Sequence, residues 1–187
     1  MKIKSIYESY KNFLKILNVK VETKSGDIIT REIMSRGSGN RTDDSVASLV
    51  YDSSKHKYIF TKQFRPGLYT EESQDIIEVV AGTLEKGEDP KECMKREILE
   101  EIGYKVDTID YIGTYYVSPG GTSEKIHLYV SKVSNKVSEG GGLESENEEI
   151  DVIEMTKEEV FLFDFNDMKT DLLIHRSFSF KDLPTIK

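Results

Sequence analysis

The stretch GTLEKGEDPKECMKREILEEIGY, residues 82–104, carries seven acidic side chains and a single arginine in what scans as one short helix and its lead-in. Asp89 is a good N-cap, Pro90 suits the first helical turn, and Glu92 stands three residues past the cap, as in a capping box. Gly103 then ends the helix as a left-handed C-terminal glycine does. The spacing predicts a helix over 90–102. Met94, Ile98 and Ile102 recur at i, i+4 and i+8, an apolar stripe suited to docking on a sheet. On the polar side, at about 100° per residue, Glu100 and Glu101 project within about 60° of Glu97. A charge run is ordinarily a solvated face. Three carboxylates on one rigid face also suit a hard cation, and Mg²⁺ prefers oxygen ligands and phosphate-bearing substrates.

The rest of the chain bounds the possibilities. Its 187 residues suit one domain with a real core, and 37% hydrophobic with 32% charged residues fit a globular chain with a well-charged surface. No run of about 18 apolar residues is present, and MKIKSIYESYKNFLKIL lacks the apolar core and cleavage site of a signal peptide. The expected location is therefore cytoplasmic. One cysteine, Cys93, excludes an internal disulfide framework and a cysteine-built metal site; it reads as a packing residue. A formal charge of −8 argues against general nucleic-acid binding.

Residues 5–17 place Ile6, Tyr10, Phe13, Leu14 and Leu17 at helical spacing, which predicts a short helix. LNVKVETKSGDIITREIMSRG alternates on either side of Ser25-Gly26-Asp27 and predicts a β-hairpin. SVASLVYD and KYIFTKQFR flank SSKHK as a second hairpin, and QDIIEVVAG is a short apolar run ending at a glycine. YIGTYYVS and KIHLYVSKV form another strand pair around PGGTSE, and IDVIEM adds a strand after the acidic, glycine-rich stretch SEGGGLESENEE. Thr156 with Glu159 marks a further helix start. His127, in an alternating strand, reads as packed or hydrogen-bonded within the fold and not as a metal ligand.

The pattern Gly82, Glu88, Arg96-Glu97, Ile98, Glu100-Glu101, Gly103 resembles the Nudix box, the signature of hydrolases acting on nucleoside diphosphates linked to another moiety. Tyr104 stands where the pattern usually has an aliphatic residue. The resemblance implies an α/β fold, a Nudix α/β/α sandwich with a mixed sheet. It makes Glu97, Glu100, Glu101 and the backbone of Ala81 metal ligands, with Arg96 and Glu88 bracing loop and helix. The implied cofactor is Mg²⁺, with Mn²⁺ a possible substitute.

Three further segments resemble the nucleoside diphosphate sugar branch of that family, most closely its GDP-mannose and ADP-ribose members. TKQFRPGLYTEES with IIEVVAGTLEKGE puts Arg65 in the place of a phosphate-contacting arginine and Glu78 near the metals. YYVSPGGTSEKIHLYV supplies Pro119 and Gly120 as candidate substrate contacts. GGGLESENEEIDVIEM resembles a mobile loop whose glutamate orients or deprotonates water, with Glu148 favoured over Glu146 and Gly140 to Gly142 expected as its hinge. Arg31 and Arg36 fall where the N-terminal segment of the branch contributes to the nucleotide site, often across a dimer interface. Residues 1–40 are thus expected to be an N-terminal segment serving dimerisation and the substrate site, and 41–187 the hydrolase domain. The implied reaction cleaves a nucleoside diphosphate sugar to nucleoside monophosphate and sugar phosphate, in a homodimer with no nucleic-acid or membrane partner. The alternatives are a non-catalytic nucleotide-sugar sensor and a pyrophosphatase for damaged nucleoside triphosphates.

Overall fold

The computed structural model describes residues 1–12, 14–143 and 148–178. In chain order they form β1 (Lys2–Lys11), β2 (Lys15–Glu22), β3 (Ile28–Ser35), β4 (Arg41–Asp52), β5 (Lys57–Phe64), a short 3-10 turn (Pro66–Leu68), β6 (Asp75–Glu78) and β7 (Val80–Glu85). Helix α1 (Pro90–Ile102), β8 (Tyr104–Tyr116), β9 (Lys125–Lys136), β10 (Ile150–Met155), α2 (Lys157–Leu162) and α3 (Met168–Ser177) follow. Strands β1 to β3 make an antiparallel three-stranded sheet. The others make a mixed seven-stranded sheet along the path β10-β5-β4-β9-β8, with β6 on β5 and β7 on β4. Within it β4 and β9 run parallel.

The centre of the larger sheet is β4, where Val46, Ala47, Leu49 and Val50 are fully buried. A continuous apolar run of this kind belongs to a strand covered on both faces. Val46 and Val50 pack with Met94, Ile98 and Ile102, the predicted stripe of α1. Ala47 and Leu49 pack on the other side with Val160 of α2 and Leu173 and Ile174 of α3. Helices on both faces of a mixed sheet give the expected α/β/α sandwich.

Helix α1 begins and ends where its caps dictate. Asp89 accepts from the amides of Lys91 (2.9 Å) and Glu92 (3.2 Å), and Gly103 closes the helix at φ 78°. The Glu92 carboxylate does not complete a capping box; it accepts from Lys95 Nζ at 2.7 Å. The full box forms instead at α2, between Thr156 and Glu159.

Two local expectations differ from the structure. Residues 5–17 are not helical: β1 covers Lys2–Lys11 and pairs with β2, Ile3 opposite Val21 and Tyr10 opposite Ile16. Every residue of β1 is exposed, so a helix there would have no surface on which to bury its stripe, whereas Ile and Tyr suit a paired strand. The run QDIIEVVAG is likewise two strands, divided at Val79. Strand β4 pairs with β5 through Val50–Asp52 and with β7 through Ser48 and the residues before it, so the chain must step from the edge of β5 to that of β4. The Val79 amide leaves the ladder at that step and donates to Thr170 Oγ1 at 2.9 Å.

Ile98 is fully buried in the α1 face of the core. Ile98→Ala is expected to lower the unfolding free energy by about 2–5 kcal/mol, measured by urea denaturation; a loss below about 1 kcal/mol would mean that the helix does not depend on this stripe.

Candidate active site

A cavity of about 960 Å³ opens between β7, α1, the β8–β9 end of the sheet and the start of α3. Its acidic wall is the predicted face of α1. Glu97, Glu100 and Glu101 line it together with Ala81 and Gly82 of β7, and Glu148 reaches it from just before β10. The sheet and helix approach closely here because Gly82 has no side chain: a Cβ at residue 82 would lie 1.9 Å from Cδ of Glu97.

Arg96 organises this wall. Its Nε and Nη2 donate to the two oxygens of Glu88 (3.0 and 3.3 Å), while Nη1 lies 2.9 Å from both Glu97 Oε1 and Glu100 Oε2. Burial disfavours ionisation of Glu88, but the Arg96 hydrogen bond and its charge outweigh it and hold the carboxyl below its ordinary range. Glu97 goes the other way. Burial and the neighbouring Glu100 charge exceed the help from Arg96 and push it up to about 7. Glu101, 3% exposed, is raised well above the ordinary carboxyl range by burial first and then by Glu97 and Glu148. Its Oε2 accepts a long bond from the Ala81 amide, 3.4 Å.

The donor set is oxygen-only and crowded with like charge, the chemistry that suits a hard divalent cation. The Gly82 cradle and the raised carboxyls of Glu97 and Glu101 fit that reading. As the side chains stand, no three carboxylates, histidines or cysteines among the described residues converge closely enough to hold an ion. Glu97 and Glu100 instead rest on the guanidinium of Arg96.

Cations face the acidic wall across the cavity. Arg65 Nε donates to Glu78 Oε1 at 2.7 Å, and Lys169 Nζ of α3 pairs with Glu78 Oε2 and with Asp167 Oδ1, the latter at 2.9 Å. Asp167 is also the N-cap of α3, accepting from the Thr170 amide (3.0 Å) and hydroxyl (2.6 Å). Arg36 enters from the end of β3, where Asp43 gathers the Arg36 amide (2.6 Å), the Gly37 amide (2.7 Å) and the Ser35 hydroxyl (2.8 Å). Glu124, 8% exposed, lies 3.7 Å from Arg36 Nη1 and accepts from Ser45 Oγ at 3.0 Å.

The structure therefore brings together Arg36, Arg65, Glu78, Ala81, Arg96, Glu97, Glu100, Glu101 and Glu148 around one cavity, with Glu88 behind Arg96. Arg31 does not join them; it sits exposed on β3, paired in register with Val19 of β2. Pro119 and Gly120 do not line the cavity either. They lie in an exposed turn whose next residue, Gly121, accepts from the Met34 amide at 2.7 Å, so that turn supports the N-terminal sheet. Glu146 lies outside the described residues. His127 is hydrogen-bonded within the fold, its Nδ1 2.8 Å from Thr114 Oγ1. Cys93 is fully buried in the α1 core.

The cavity also holds residues that the sequence did not single out: Glu124, Asp167 and Lys169. The signal for the last two was Asp167 as a cap before MKTDLLIHR, which announces a helix but not what its first turn faces. Glu124 lay inside the strand-flanking segment SPGGTSEK with nothing to separate it from surface charge.

This fold and its acidic helix define a family. The NUDIX domain model matches residues 41–181, and the chain belongs to the NUDIX family. The chain is 34% identical over 161 residues to a GDP-mannose pyrophosphatase of Cronobacter sakazakii, covering 83% of this chain and 79% of that one. It is 34% identical over 176 residues to a GDP-mannose pyrophosphatase of Salmonella typhimurium, covering 88% and 87%. Among solved structures, an ADP compounds hydrolase shares the fold with a TM-score of 0.74 and 19% identity, over 94% of this chain and 91% of that chain. Among the described residues no helix is long and apolar enough to cross a membrane.

Glu97 yields a pH prediction. A carboxyl raised from 4.5 to about 7 destabilises the fold once ionised; the cost is absent below the unfolded value and complete above the folded one. In metal-free protein, the melting temperature of Glu97→Gln relative to the parent is expected to rise between about pH 5 and about pH 8. Calorimetric scans showing a constant difference across that window would contradict the assignment.

Proposed function

We propose that this chain hydrolyses the pyrophosphate linkage of a nucleoside diphosphate sugar, releasing a nucleoside monophosphate and a sugar phosphate. GDP-mannose is the first candidate and ADP-ribose the second. One observation carries the reading: a single cavity sets an oxygen-rich acidic wall against cationic side chains that include Arg36, Arg65 and Lys169. A pyrophosphate with its counter-ions needs both. The identity to GDP-mannose pyrophosphatases over most of both chains supports the substrate class.

Glu97, Glu100, Glu101 and the Ala81 carbonyl would hold Mg²⁺, with Mn²⁺ able to substitute. A bound divalent ion neutralises phosphate oxygens and makes the attacking water more acidic. The protein's own groups do the rest. Arg65 and Lys169 offer positive charge to the phosphates while Glu78 fixes their position, since its two oxygens hold one cation each. Arg36, steadied by Glu124, extends that charge toward the nucleotide end. Glu148 receives the water proton: its Oε2 accepts from the Leu143 amide at 3.2 Å, which leaves Oε1 for water. Glu146 is the alternative base. Arg96 and Glu88 keep the acidic face in register.

Residues 1–40 we read as the segment through which two copies pack. The exposed Ile3, Ile6, Tyr7 and Tyr10 on β1 support this, since the three-stranded sheet by itself leaves that much apolar surface in water. Light scattering is expected to report a dimer, and Ile6→Asp with Tyr10→Asp to shift it to monomer; a wild-type monomer at working concentration overturns the reading.

The decisive assay is hydrolysis of GDP-mannose, ADP-ribose and UDP-glucose with product identification, with and without Mg²⁺. Glu100→Gln and Glu101→Gln are each expected to lower turnover by orders of magnitude while circular dichroism stays unchanged. Near-normal turnover in both would refute the acidic wall as the reactive site, and no turnover of any sugar by the wild type would refute the function. Substituting Glu148 and Glu146 separately identifies the base.

A further inference from the structure

Every helix ends on carbonyls that its own backbone leaves unsatisfied. At the end of α1 the Gly103 amide donates to Leu99 O at 3.1 Å, and the chain then passes straight into β8. The carbonyls of Glu100 and Glu101 are met from a distant segment, by the amides of Gly142 (3.2 Å) and Gly141 (2.8 Å). Just before, the Val137 and Ser138 amides donate to Gly103 O at 2.7 and 3.2 Å. The contact is backbone against backbone. A Cβ on Gly140 would lie 2.6 Å from Glu101 O, and one on Gly103 would lie 2.0 Å from Ser138 O. Gly140, Gly141 and Gly142 all have left-handed φ, at 74°, 102° and 84°. The glycines expected to form an open hinge are thus bonded to the end of the acidic helix.

The same residues hold Glu148. Gly141 O accepts from the Ile150 amide at 3.3 Å, which starts β10, and Leu143 O accepts from the Glu148 amide at 3.3 Å. A Cβ on Gly142 would lie 2.7 Å from Cβ of Glu148 and 2.9 Å from its Oε2.

We propose that Gly140–Gly142 is a positioning clasp: it grips the backbone of Glu100 and Glu101 and thereby sets the Glu148 carboxylate at a fixed offset from the acidic wall. Gly142 is the residue whose missing side chain admits Glu148. Because the grip is on helix carbonyls and not on side chains, it holds whatever the charge on the wall. The inference rests on the proposed role of Glu148 in accepting the water proton.

Gly142→Ala and Gly142→Asn test it, asparagine being tolerant of left-handed backbone. Both are expected to lower kcat for GDP-mannose by about tenfold or more, with KM changed by less than about threefold. In a Glu148→Ala background, Gly142→Ala is expected to lower kcat no further, because it acts through the missing carboxylate. Independent, additive losses overturn the proposal, as does a Glu148→Ala variant with normal kcat. Amide hydrogen exchange on the wild-type chain is a readout apart from turnover. Gly141 and Gly142 amides protected like those of α1 support the clasp, and exchange at open-loop rates overturns it even if neither variant folds. A wild type that hydrolyses no nucleotide sugar overturns the proposed function, while exchange still judges the clasp.

Discussion

The carboxyl group of Glu97 occupies the space that a side chain on residue 82 would fill. That one steric constraint sets how close β7 and α1 can lie, and the rest of the site follows from it. With the helix drawn in, its apolar stripe meets β4 and its acidic face is turned into the cavity instead of out to bulk water. The burial that docking requires is also what raises the Glu97 and Glu101 carboxyls. Packing and reactivity are here one geometric fact.

Electrostatics then divide the molecule into regions of different consequence. Ion pairs such as Lys4–Glu22 on the outer hairpin are exposed and are worth about 0–1 kcal/mol. The networks around Arg96 and Glu78 differ, because their carboxylates are largely buried and removing a cationic partner strands a buried charge. Glu78, 3% exposed, is the clearest case: Arg65 reaches it from 13 residues earlier in the chain and Lys169 from 91 residues later.

How much of this was legible in the sequence depended on how local its causes are. Helix α1 was readable almost to the residue because Asp89, Pro90 and Gly103 act within a turn of its ends. The acidic wall followed from helical geometry alone. The N-terminal strand was misread because five apolar residues at helical spacing say nothing about whether a surface exists to receive them. Val79 was missed for a related reason: the break between β6 and β7 is imposed by the competing edges of β4 and β5. The cationic wall was the least legible part, since Lys169 meets Glu78 across 91 residues. Pro119 and Gly120 lie near the site in sequence, yet their turn bonds to β3 while Glu124, a few residues on, faces the cavity.

The bond between the Val79 amide and Thr170 fastens α3 to the very step in the sheet from which Glu78 projects. A chain leaves the ribosome amino end first. The acidic helix is therefore translated well before Lys169, the second counter-ion of Glu78. Of the groups around the cavity, Arg36 and Arg65 emerge before the acidic helix and Lys169 after it, so the wall that α3 supplies is the last that biosynthesis delivers.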